Sequence, residues 1–102
     1  MTPIRPIPAV PIKIRECLCP LGRLSYFLIY QEVTLDEIRR PSYSLLIRLL
    51  GDDVETALLP DLSSLEADAA AVLTALCRGQ VTPSVACEVA AEVVEGLLAR
   101  EG

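Results

Sequence analysis

The chain has 102 residues, 52% of them hydrophobic and only 4% aromatic, and a formal net charge of −5. That is the length of one domain, whose core must come from Leu, Val, Ile and Ala. It contains no histidine, which removes the usual general base, the commonest metal ligand and every histidine-based triad.

Charge is unevenly placed. Residues 1–50 carry seven basic and four acidic side chains (+3), and residues 51–102 carry two and ten (−8). The acidic half argues against a nucleic-acid partner, because phosphate contacts need clustered Lys and Arg. Apolar runs such as Tyr26 to Tyr30 are far short of a bilayer span, so no membrane partner is expected. Prolines at 3, 6, 8 and 11 break up the N-terminus, which does not read as a secretory signal. The expectation is a soluble, cytoplasmic protein with reduced thiols.

Residues 1–22 read as a Pro-rich extended arm, and residues 23–102 as a single α+β domain. Pro3, Pro6, Pro8, Pro11 and Pro20 disfavour helix. Ile4, Ile7, Val10, Ile12 and Ile14 make the arm too apolar for a solvated tail. It would either lie across a sheet face or serve as a ligand for a partner's aromatic groove.

Leu24 to Thr34 is the first expected strand, with Tyr26, Leu28 and Tyr30 on one face and Phe27, Ile29 and Val33 on the other. Both faces are apolar, which predicts a strand covered on two sides. After a charged connection, Leu35 to Pro41, strand character resumes from Tyr43 to Leu50. Gly51-Asp52-Asp53 is a turn signal, and Val54 to Leu59 is a third short strand closed by Pro60. Connections this short predict a three-stranded antiparallel meander.

A two-helix hairpin should follow, packed on one face of the sheet. Ser63-Ser64-Leu65-Glu66 has the form of a capping box, placing the first helix start at Ser63. Leu65, Ala69, Val72, Leu73 and Leu76 form one stripe at helical spacing. Gly79 suits the left-handed position after the helix, and Thr82-Pro83 starts the second. Val89, Val93, Ala86, Leu97, Ala90, Val94, Cys87, Leu98 and Ala91 spread over roughly 200° of that helix, where a surface helix needs about 100°. It should therefore touch two things: the sheet and the first helix, or one of these and another chain. Glu88, Glu92 and Glu95 form a solvated ridge.

The chemistry available is sparse. No Gly-rich phosphate loop exists, and Lys13 is the only lysine. Asp36-Glu37 and Asp52-Asp53 are acidic pairs in turns, where solvation and turn geometry account for them. Four cysteines, Cys17, Cys19, Cys77 and Cys87, are the low-order metal candidates, since four thiolates would satisfy tetrahedral zinc. Their spacing is not that of a zinc knuckle, however. Cys77 and Cys87 flank apolar stripes, where free cysteine acts as a small hydrophobe. No nucleophile has an identifiable activator, so no enzymatic activity and no cofactor are expected.

Four stretches resemble a small bacterial family of uncharacterised single-domain proteins, mostly from Gram-positive spore formers. They are Leu24-Ser25-Tyr26-Phe27-Leu28-Ile29, Ser42-Tyr43-Ser44-Leu45-Leu46-Ile47, Asp61-Leu62-Ser63, and Gly79-Gln80-Val81-Thr82-Pro83 before an acidic-aliphatic helix. The resemblance covers residues 24–98. In that family the second helix typically carries a histidine shortly after the Thr/Ser-Pro, where this chain has Ser84-Val85-Ala86. The family has no established activity, so the likeness implies a fold and leaves function open.

Together these features suggest a non-catalytic interaction or regulatory module, acting on a protein partner or on itself as a homodimer. The contact residues would be Phe27, Ile29 and Leu46 on the sheet, and Cys87, Ala91, Val94 and Leu98 on the second helix. A small cysteine-based metal-binding or thiol redox protein is the alternative.

Overall fold

Short connections dictate the sheet. Strands β1 (Val10–Cys19), β2 (Gly22–Leu35), β3 (Ile38–Leu50) and β4 (Val54–Ser63) are joined by links of two or three residues, which permit only antiparallel neighbours. The computed structural model, which describes residues 10–101, places them in the order β1-β2-β3-β4. Helices α1 (Glu66–Arg78) and α2 (Pro83–Glu101) follow.

The α+β class and the meander are as expected, but the sheet has four strands rather than three. The extra strand, β1, comes from the stretch read as an arm. Its residues pair with β2 from Val10↔Tyr30 to Cys19↔Gly22, with a bulge between Pro11 and Lys13. Isoleucines alternating with polar residues over Ile12–Glu16 satisfy a ladder as well as they would a free extended segment, and the bulge accommodates Pro11. Residues 1–9 of the expected arm lie outside the described residues.

The charged connection expected over Leu35 to Pro41 is largely strand. Only Asp36 and Glu37 turn, both with positive φ (52° and 65°), as a two-residue hairpin of the primed kind requires. The β1–β2 turn depends on Gly22, whose φ is 144°. A Cβ there would lie 2.2 Å from the Leu50 carbonyl oxygen, so only glycine fits.

One face of the sheet and one side of each helix make the core. Leu24, Tyr26 and Leu28 of β2, Leu45, Ile47 and Leu49 of β3 and Leu59 of β4 pack with Ala69, Val72, Leu73 and Leu76 of α1 and Ala86 and Ala90 of α2. The α1 stripe is the expected one except for Leu65, which is exposed. Leu65 is instead the residue preceding α1. β4 extends through Ser63, whose hydroxyl accepts the Leu65 amide at 3.0 Å, so the capping box does not form. As expected of its wide arc, α2 packs on both the sheet and α1.

The α1–α2 turn is a Schellman motif. The Val81 amide donates to the Leu76 carbonyl (3.0 Å) and the Gln80 amide to that of Cys77 (3.1 Å). Gln80, with φ 50°, takes the left-handed position expected of Gly79, which stays right-handed at φ −84°.

The molecule has two layers, with Cα extents of 50 × 39 × 19 Å and a radius of gyration of 14.9 Å. A chain of this length packed into a sphere-like domain would have a radius near 13 Å. The flatness follows from placing both helices on the same side of the sheet. Among the described residues, no helix is long and apolar enough to cross a membrane.

Candidate interaction surface

The strand pairing builds the sheet's outer face, the one turned away from the helices. Side chains alternate along a strand, so the partners of the buried Tyr26, Leu28, Leu45 and Ile47 face inward and those between them face outward. The register aligns Ile14↔Phe27, Phe27↔Leu46 and Leu46↔Leu58, one unbroken apolar row across all four strands. Phe27 and Leu46 are half-buried by their neighbours, whereas Ile14 (49%) and Leu58 (56%) are exposed at the two edges. Ile29 extends the patch along β2, whereas Leu50 and Val54, both exposed, pair two rows further on and are separated from it by polar residues.

A polar row flanks the apolar one: Glu16↔Ser25, Ser25↔Arg48 and Arg48↔Thr56. The Arg48 guanidinium carbon lies 5.9 Å from the centre of the Phe27 ring, a cation–π contact that shields part of one ring face. No described helix or loop covers the outer face. The expectation that β2 is covered on both sides is therefore corrected: α1 sits on its inner face, and its outer face is open among the described residues.

The contact residues expected on α2 fare differently. Cys87 and Ala91 are exposed, but Val94 packs against the core. The Leu98 side chain lies outside the described residues. Small side chains, Ala67, Ala71 and Thr74 of α1 facing Val93 and Gly96 of α2, line a shallow groove of about 610 Å³ between the helices. Its lining offers few functional groups beyond Arg78.

Two polar assemblies fix the sheet's ends. Tyr26, on the inner face, donates its phenol to the Val81 carbonyl at 2.8 Å, and the Gln80 side-chain amide donates to the Leu18 carbonyl at 3.2 Å. Together they tie the α1–α2 turn to β1 and β2. At the other end β4 bulges, because Tyr43 pairs with Ser63 while Leu45 pairs with Leu59. The bulge holds Asp61 at φ 46°. Its carboxylate accepts the Ser42 hydroxyl and the Arg40 guanidinium, each at 2.8 Å, while its amide donates to the Ser44 hydroxyl at 3.0 Å. The Ser42 hydrogen bond holds the Asp61 carboxyl below its ordinary range; burial opposes it, and the Arg40 hydrogen bond and charge add to the lowering. Lowered in this way, the Asp61 carboxylate is a weak base toward the Ser42 hydroxyl, and the bonds secure the bulge.

Cys17 and Cys77 are brought together under the α1 C-terminus, with the Cys17 thiol 4.0 Å from the Cys77 carbonyl oxygen. Cys17, Cys19 and Cys77 all pack against the core, half-buried, while Cys87 is exposed on α2. Burial, and then the neighbouring Cys77, push the Cys17 thiol above its ordinary value of 9.0. A thiol so raised is poor in thiolate at neutral pH, the opposite of an activated cysteine. Among the described residues, no three His, Cys, Asp or Glu side chains gather as a metal site.

No family model, curated protein or solved structure matches this chain. The likeness of residues 24–98 to the bacterial family therefore rests on its four sequence stretches alone.

Ile14, Leu58 and Arg48 belong to the outer face but are not among the residues expected from sequence. Leu58 lies within the strand read from Val54 to Leu59, so its alternation was there to be used. Ile14 carries no such signal, because the prolines before it favour an extended arm as much as a ladder.

Proposed function

We propose that this protein is a non-catalytic interaction module whose contact surface is the outer face of the sheet, centred on Phe27 and Leu46. The observation that carries this reading is the apolar row Ile14–Phe27–Leu46–Leu58, which crosses every strand with no described element over it. Each large apolar side chain taken fully out of water contributes about 1.5–3 kcal/mol, so a partner covering this row gains substantially. Single exposed apolar residues are ordinary, but contiguous patches mark binding surfaces. The α2 surface supports the reading less well, because Val94 is already engaged in the fold.

A photo-crosslinking amino acid placed at Leu58, with Val85 on α2 as control, tests the reading in cells expressing the chain. Both positions are exposed, at 56% and 43%. The expected result is a protein adduct from position 58 and none from position 85. No adduct from position 58 would contradict it.

A further inference from the structure

We infer that the outer face is occupied by the same face of a second copy, related by a two-fold axis parallel to the strands and lying between the β2 and β3 lines. This rests on the interaction reading above and names its partner. Rotation about such an axis preserves position along the strands and exchanges β2 with β3 and β1 with β4. Phe27 then lies opposite Leu46 of the other copy, and Ile14 opposite Leu58. The apolar row meets itself in register, as an isologous interface requires.

The flanking charges obey the same operation. Within one chain Glu16 and Arg48 lie on the same row but two strands apart, with Ser25 between them. That is about 9–10 Å at ordinary strand spacing. Across the axis Arg48 faces Ser25 of the other copy, and Glu16 of that copy stands one strand spacing to the side. A turn of the long Arg48 side chain away from the Phe27 ring brings the two charges together, and symmetry makes the pair twice.

The area is also sufficient. Four strands paired over nine or so residues present about 19 × 30 Å, or roughly 600 Å², close to the ~800 Å² per partner of a standard interface. Facing sheets at ordinary spacing would leave the helices outermost, turning two flat two-layer molecules into one four-layer particle.

The test is sedimentation equilibrium on the full chain with a charge-swap cycle, each variant checked for fold by circular dichroism. The wild type should sediment at twice the chain mass of 11.0 kDa. Glu16→Arg and Arg48→Glu should each weaken the dimer by about tenfold, and the double variant should recover to within about threefold of wild type. Additive losses in the double variant would overturn the inferred register. A wild-type monomer that still crosslinks from position 58 to a different protein would overturn self-pairing while leaving the interaction reading intact. A monomer that dimerises only when residues 1–9 are removed would assign the face to the chain's own N-terminus and overturn the inference. A monomer with no adduct from position 58 would overturn both.

Discussion

Tyr26 and Val81 join the two halves of this molecule: the phenol, rooted in the second strand, donates to a backbone carbonyl in the turn between the helices at 2.8 Å. The Tyr26 side chain is wholly buried, so its hydroxyl must find a partner inside the protein. Val81 immediately follows Gln80, whose left-handed backbone closes the helix and whose side chain reaches Leu18. The turn is therefore oriented by the sheet beneath it, and the helices inherit that orientation.

Tyr26→Phe should cost about 1–2 kcal/mol, because it leaves the Val81 carbonyl without its donor while preserving the ring's packing. For a domain of this size that is a fall in Tm of roughly 5–15 °C. Calorimetry on the two proteins checks it.

The same region should make the protein sensitive to alkali. Burial first, then the nearby Cys17 and Cys77, raise the Tyr26 phenol above its ordinary 10.0, and Cys17 is raised above 9.0. Groups whose values are raised by folding contribute fully below their unfolded values, and that contribution is lost as pH climbs through the folded ones. Stability should thus be flat to about pH 8.5 and then fall, with a shallower decline in Tyr26→Phe. Urea midpoints from pH 7 to 11 give the comparison.

At the opposite end the sign reverses. Asp61 is lowered, chiefly by the Ser42 hydroxyl, so its contribution is present above the ordinary carboxylate range and is lost as pH falls through the lowered value. Stability should decline below about pH 4, and Asp61→Asn should flatten that decline. The effect is modest, because the Arg40 partner and Asp61 are both substantially exposed. Acid titration followed by circular dichroism measures it.

Gly22→Ala should be far more damaging. Its Cβ would meet the Leu50 carbonyl oxygen at 2.2 Å in a backbone conformation that L-residues rarely adopt. A loss of about 3 kcal/mol or more is expected, read as a large shift in urea midpoint.

What the sequence made legible follows from range. The β3–β4 turn, the α1 stripe apart from Leu65 and the Thr82-Pro83 helix start depend on near neighbours, and they appear where the pattern puts them. The capping box misled because Ser63 is still paired with Tyr43 in the sheet, and tertiary pairing outweighs a local cap. Gly79 misled because Gln80 accepts the strained position while its side chain gains the Leu18 carbonyl. The apolar second face of β2 was readable from Phe27 and Ile29. That it lies open among the described residues was not, because cover is a property of topology, and residues 10–19 of the stretch read as an arm add a strand at the sheet's edge. Arg40, Ser42, Ser44 and Asp61 carry no local signal, since a four-residue match across a bulge exists only once the strands are aligned.

The proposed contact surface, the row through Phe27 and Leu46, meets a second copy of itself. Sedimentation equilibrium of the wild type beside Leu46→Glu, with Leu46→Thr as the milder change, tests it most directly. Expected are a wild-type dimer, a folded monomer for Leu46→Glu and an intermediate dissociation constant for Leu46→Thr. A dimer equally strong in all three proteins, or a wild type that stays monomeric at hundreds of micromolar, would contradict it.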